Sequence, residues 1–175
     1  MLQVCLTYKN EQHVTALLAP LLQVGTRFHK KLGKITIQLE QNREKNQLIV
    51  YFPPNDFDAL EQVHHYIQEL IHTCDVTQIN DDSAHVGFLK NGDIATITHR
   101  FHEWQTFLLE AQYRSMEGQK IEVFNGPLKL GEGILLSYVL ESIQPFLVQS
   151  ATVITTFGEE VFSGTDLKLK ATSQW

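Results

Sequence analysis

The chain has few of the features from which a function is usually read. It holds two cysteines in 175 residues, Cys5 and Cys74, far apart and without CxxC or any metal-ligand spacing. That excludes a disulfide scaffold and a zinc ribbon, and it fits a reducing compartment with each thiol a small buried hydrophobe. The longest apolar stretch, Ala16 to Val24, is broken by Pro20 and is too short to span a bilayer. The N-terminus enters an alternating strand with no basic n-region or small-residue cleavage site, so a cytoplasmic protein without a membrane segment is expected. No GxSxG, HExxH, Walker A or GxGxxG motif occurs, and nothing calls for a cofactor.

Basic charge is also in short supply. A net charge of −6 counts against a dedicated nucleic-acid binder, whose affinity would come from Lys and Arg on phosphates. Its distribution is uneven. Residues 1–50 carry seven Lys or Arg against three acids, whereas residues 51–85 carry seven acids and no Lys or Arg. Solvated faces account for such clustering without further assumption. The functional reading is a bipolar surface that self-associates or docks a charged partner.

What is present is an ordinary core-forming composition, 43% hydrophobic and 19% charged, with periodicities of both kinds. Leu2 to Tyr8 alternates as a half-buried strand. A helix capped by Asn10 follows, with a stripe of Val14, Leu17, Leu18, Leu21, Val24 and Phe28, kinked or broken near Ala19 by Pro20 and stopped at Gly33. Ile35–Leu39 and Leu48–Phe52 read as strands around a polar hairpin loop. A second helix, capped by Asn55 or Asp56, runs from Phe57 towards Cys74. After a short strand, Val76–Ile79, the Asn91-Gly92 pair marks a hairpin between Ala84–Lys90 and Asp93–Thr98.

A third helix from about His99 carries Phe101, Trp104, Leu108 and Ala111 on one face and ends at Gly118. Lys120–Phe124 is a strand. Ile134–Gln149, apolar on most sides, reads as a fourth and most buried helix, with a kink or early end at Pro145. Ala151–Phe157 and Val161–Leu169 close as a hairpin around Gly158-Glu159-Glu160, and the tail from Ala171 frays. The expected fold is α+β, with antiparallel or mixed sheets packed on four helices. It divides into an N-terminal βαββαβ half, 1–90, and a C-terminal half, 91–175, sharing one core, and the two halves have a ferredoxin-like, βαββ-type arrangement.

Four groups of residues could carry chemistry. His99, His102 and Glu103 fall at the start of the third helix, where His99 and Glu103 are i, i+4 neighbours and could offer Zn²⁺ two imidazoles and a carboxylate. An exposed first turn with an internal His–Glu pair explains them as well. Gly126, Lys129, Gly131 and Gly133 form a turn between a strand and a helix N-terminus, a location suited to anions. Here Glu132 stands where a Walker loop would have its lysine. Arg27, Lys30, Lys31 and Lys34 make a basic patch, for which a helix C-terminus supplies a structural reason. His64, His65 and His72 lie on the acidic helix and could answer to pH.

The reading these features support is a small binding or regulatory protein acting through a protein partner or a second copy of itself. Two alternatives stand beside it. One is a metal-assisted hydrolase using His99, His102 and Glu103. The other is an RNA-processing protein with paired ferredoxin-like halves, using Arg27–Lys34, the Gly-rich turn and a histidine as acid or base.

Overall fold

A computed structural model describes residues 1–54, 57–143 and 146–172. The chain divides into two compact units, Met1–Phe101 and His102–Trp175. Three helices are present among the described residues rather than four, and every strand pairing is antiparallel.

In the first unit, β1 (Leu2–Tyr8), β2 (Leu22–Val24), β3 (Arg27–Leu32), β4 (Ile35–Asn42), β5 (Gln47–Phe52) and β6 (Val76–Asn80) form one sheet in the order β2-β3-β4-β5-β1-β6. Helix α1 (Glu11–Leu18) follows β1, and α2 (Phe57–Thr73) connects β5 to β6 across the intervening β1. Alternation decides the layers. Val4, Leu6, Ile37, Leu39, Leu48, Val50 and Phe52 are fully buried on one face, and α1 and α2 contribute Val14, Leu18, Val63, Ile67 and Leu70 to the same apolar core. Each such side chain stabilises the unit by about 1.5–3 kcal/mol relative to exposure. A small hairpin, β7 (His85–Phe88) with β8 (Ile94–Thr96), turns through Asn91-Gly92, where Gly92 has φ +87.

The first helix has 8 residues, far fewer than the stretch from Asn10 to Gly33 that its periodicity implies. The Asn10 side chain caps it by accepting from the Gln12 N–H at 3.0 Å. Pro20 has no N–H to continue the ladder, and the helix ends at Leu18 with Ala19 as C-cap. Beyond it the expected helical stripe is a pair of hairpins. Gly25-Thr26 turns β2 into β3, and Gly33-Lys34 turns β3 into β4, with both glycines at positive φ. Leu22 and Val24 are accordingly exposed rather than core. The capping expectation at Asn55 or Asp56 falls outside the described residues.

The second unit keeps the α+β class, the third helix and the strand from Lys120, but not the fourth helix. Helix α3 (Phe101–Ser115) begins in the first unit at Phe101 and continues in the second, followed by β9 (Lys120–Asn125), β10 (Leu128–Ser142), β11 (Leu147–Thr155) and β12 (Gly158–Ala171). The four strands close into a barrel, each pairing with the next and β12 returning to β9. A pair of ferredoxin-like halves is therefore excluded, and of the expected helix Ile134–Gln149 the stretch Ile134–Ser142 is strand, with Leu147–Gln149 beginning the next one. Its helical look has two causes. Ile134, Leu136 and Val139 are apolar on the outside of the barrel while Leu135 is apolar on the inside, and register shifts at Leu135/Ser137, Val139/Leu140 and Leu140/Ser142 break the two-residue alternation. Pro145 lies outside the described residues.

Ile121, Val123, Leu135, Val148, Ala151, Val153, Leu167 and Leu169 fill the barrel, and Tyr113 of α3 and Met116 just beyond it join them. Tyr113 packs edge-on against Tyr138 at 5.6 Å and tilted against Phe146 at 5.1 Å. Its hydroxyl accepts from the Leu169 N–H, and burial pushes its pKa up. Near its C-terminus α3 thus turns Tyr113 inward, whereas Ala111, expected on the core stripe, is exposed.

Candidate functional site

The loop between β8 and α3 fixes the histidine group. Thr96 N–H donates to the His99 carbonyl, His99 N–H donates to Thr96 Oγ1, both at 3.0 Å, and the Thr96 and Thr98 hydroxyls both donate to Asp81. Arg100 then turns the chain at φ +59 and donates to Asp93, whose pKa its guanidinium lowers. Because α3 starts at Phe101, His99 precedes the helix and has no i, i+4 relation to Glu103. His102 Nδ1–H donates to Gln105 Oε1 at 3.2 Å. Among the described residues, no three His, Cys, Asp or Glu side chains are placed to hold a metal ion together.

The glycine segment has no helix behind it. Gly126 makes the turn from β9 to β10 at φ +58, and its N–H donates to the Asp166 carbonyl at 3.0 Å. Gly131 and Gly133 sit in the β10 ladder opposite Val123 and Ile121. A Cβ on Gly131 would come 2.4 Å from the Phe162 ring, which reaches across from β12, and one on Gly133 would come 2.4 Å from the Ile154 carbonyl oxygen. These glycines are where the barrel is tightest. Lys129 is held by two carboxylates, Glu122 and Glu132, each at 2.7 Å.

Glu132 also pairs with Lys120 at 3.0 Å, and the two lysines push its pKa down from 4.5 to about 2. A lowered acid pKa contributes stability above the unfolded value that is lost as pH falls through about 2. On solvent-exposed groups the contribution is small. In an NMR titration the Glu132 carboxyl should therefore have its midpoint near 2, and Lys129→Met should move it upward. A wild-type midpoint near 4.5 would show that the triad does not form in solution.

The basic patch is a strand patch. On β3, Arg27 donates to Glu40 at 3.2 Å and to Gln38 at 2.8 Å, and lies 4.4 Å over the Tyr51 ring. Lys30 turns to the other face, 5.6 Å from the ring of Tyr66. Lys31 and Lys34 are exposed. Alternation splits the four cations between two faces and a turn, so they do not form one surface. Of the histidines on α2, His65 and His72 are exposed, whereas His64 is buried and its Nδ1–H donates to the Ile97 carbonyl at 2.6 Å.

The site that sequence reasoning missed is on the outside of the barrel. The turn Thr156-Phe157 joins β11 to β12, and Phe157 projects from it 93% exposed. Phe157 also forms one wall of a hollow of about 540 Å³ whose other walls include Ile134, Ile154 and Thr155, with Lys120, Glu132 and Glu160 as its charged lining. Cross-strand pairing sets Ile134 against Ile154 and Val161 against Thr152. Ile134, Ile154, Phe157 and Val161 are all exposed, and three of these four sit on paired strands of one wall. Phe157 was expected to be a strand residue. The Thr-Phe-Gly sequence, with Gly158 at φ +113, is the turn signal that could have placed it at the tip.

No protein-family model matches the chain, and no curated protein and no solved structure matches it either. Among the described residues no helix is long and apolar enough to cross a membrane.

Proposed function

We propose that the protein is a non-catalytic binding protein that works by protein–protein contact on the outer face of its barrel, in the first instance with a second copy of itself. The observation that carries this reading is Phe157, an aromatic side chain almost wholly in water on the wall of an apolar hollow. Burying such a side chain is worth about 1.5–3 kcal/mol. A projecting ring and a hollow side by side on one face suit a two-fold contact, in which each copy's Phe157 fills the other's hollow. Lys120, Glu132 and Glu160 line the hollow, with Lys120 on Glu132 at 3.0 Å, so the same two-fold pairing can set the lysine of one copy opposite Glu160 of the other.

Sedimentation of the wild type over a range of concentrations should show a monomer–dimer equilibrium. Phe157→Ser should weaken it by about 30-fold or more, the effect of losing a buried aromatic anchor. Its melting temperature at low concentration should stay the same, because the ring makes no core contact in the monomer. A wild type that stays monomeric at every concentration, or a Phe157→Ser dimer of unchanged affinity, would overturn the reading.

A further inference from the structure

The six-stranded sheet has a second face whose chemistry differs from that of the barrel. Register sets Gln3, Cys5 and Thr7 of β1 beside Tyr51, Ile49 and Gln47 of β5, and sets Cys5 and Thr7 beside Asn80 and Gln78 of β6. Alternation puts these side chains opposite the buried Val4, Leu6, Leu48 and Val50. A depression of about 310 Å³ lies there. Gln3, Thr7, Gln47, Gln78 and Asn80 stand round a floor of Cys5 and Ile49.

This lining contains no Asp, Glu, Lys, Arg or His, in a chain with 20 acids, 14 bases and eight histidines. Burial pushes the Cys5 thiol up, so it too is neutral. The absence of charge narrows the class of ligand. An anion or cation would give up hydration and find no counter-charge. An apolar molecule would strip water from five polar side chains and return no hydrogen bonds. What remains is a neutral ligand dense in hydrogen-bonding groups.

We propose that this face binds a neutral saccharide, a mono- or disaccharide unit of a glycan. A carboxamide presents a donor and an acceptor side by side, which matches a pair of neighbouring hydroxyls that each donate and accept. Among the described residues the side chains of Gln3, Gln47 and Gln78 make no hydrogen bond within the protein, so this capacity is turned outward. Ile49 and Cys5 supply an apolar floor for the C–H face of a sugar ring. A peptide strand is a poorer match. Peptides join sheets at their edges, where backbone groups are unpaired; only the β6 side of the depression is an edge, and β1 and β5, which supply the other five lining residues, are interior strands whose backbones are engaged on both sides. The volume lies at the lower end of the roughly 300–1,000 Å³ typical of small-molecule pockets, which sets the ligand at one or two sugar rings.

The test is an amide NMR titration of the full chain with maltose, cellobiose, lactose and N,N′-diacetylchitobiose, each up to tens of millimolar. At least one should give saturable shifts centred on residues 3, 5, 7, 47 and 78. Gln3→Ala combined with Gln78→Ala, exposed changes that leave the melting temperature unaltered, should weaken that binding about tenfold or more. The proposal is overturned if none of the four sugars gives a saturable response, if the shifts centre elsewhere, or if the double variant binds as well as the wild type. It is equally overturned if a neutral Gly-Ser hexapeptide shifts the same residues with higher affinity than any of the sugars.

Discussion

Gly133→Val is expected to cost the C-terminal unit about 3 kcal/mol or more, and Gly133→Ala about 1–3 kcal/mol. The reason is the identity of the atoms a side chain would meet. A Cβ at Gly133 lies 2.4 Å from the Ile154 carbonyl oxygen, 3.0 Å from its carbonyl carbon and 3.1 Å from Val153 Cγ2. Two of the three are backbone, held in the ladder that pairs Ile134 with Ile154. In a closed barrel a strand cannot slide away without disturbing its other neighbour, and β11 is tied to β12 as well.

Gly131 is the control. Its Cβ would strike the Phe162 ring, also at 2.4 Å, but a side chain can yield. Gly131→Ala should therefore cost less than Gly133→Ala, and adding Phe162→Leu should recover part of the loss. Chemical denaturation followed by circular dichroism measures all four variants. A Gly133→Ala protein within about 0.5 kcal/mol of wild type would mean that β10 and β11 are not in the register described.

The same two glycines show how far the sequence could be read. Their spacing in Gly126–Gly133 resembles a loop before a helix only if Ile134–Gln149 is taken as that helix, so one misread element created the candidate anion site. The misreading has a physical cause. Periodicity reports burial on one side, and β10 is apolar on both, with register shifts that reset its phase. The segment after Pro20 failed differently. Leu21, Val24 and Phe28 fall at helical spacing by coincidence, while the decisive information was in the turns, Gly25-Thr26 and Gly33-Lys34, which frame a six-residue strand.

Where patterns were short, alternating and bounded by turn residues, they were legible. The span of β1, the strands β4 and β5 around their polar loop and the Asn91-Gly92 hairpin follow from such runs and their breaks, whereas the β11–β12 hairpin was legible only as a pair, its turn lying at Thr156-Phe157 and not at Gly158-Glu159-Glu160. The outer face of the barrel was not legible, because exposed apolar residues become a patch only when register sets Ile134 beside Ile154.

Phe101→Ala is expected to cost the N-terminal unit about 3–5 kcal/mol. The sequence places Phe101 at the head of a stripe with Trp104 and Leu108, but its ring lies in the first unit, 1% exposed and stacked on the His64 ring at 4.4 Å with 9° between planes. That stacking covers a buried polar bond. His64 Nδ1–H donates to the Ile97 carbonyl at 2.6 Å, so the imidazole joins α2 to the segment entering α3. Removing the ring leaves a cavity and also exposes the imidazole face that shields this bond.

His64→Phe makes the complementary change, keeping an aromatic ring but denying the Ile97 carbonyl that donor, and should cost about 1–3 kcal/mol. If ring and bond are one structure, Phe101→Ala and His64→Ala together should cost less than their separate effects added, with a coupling of about 0.5 kcal/mol or more. Urea unfolding of the three variants decides it. Strict additivity would mean that the aromatic contact and the hydrogen bond stabilise the unit independently, and that neither positions the other.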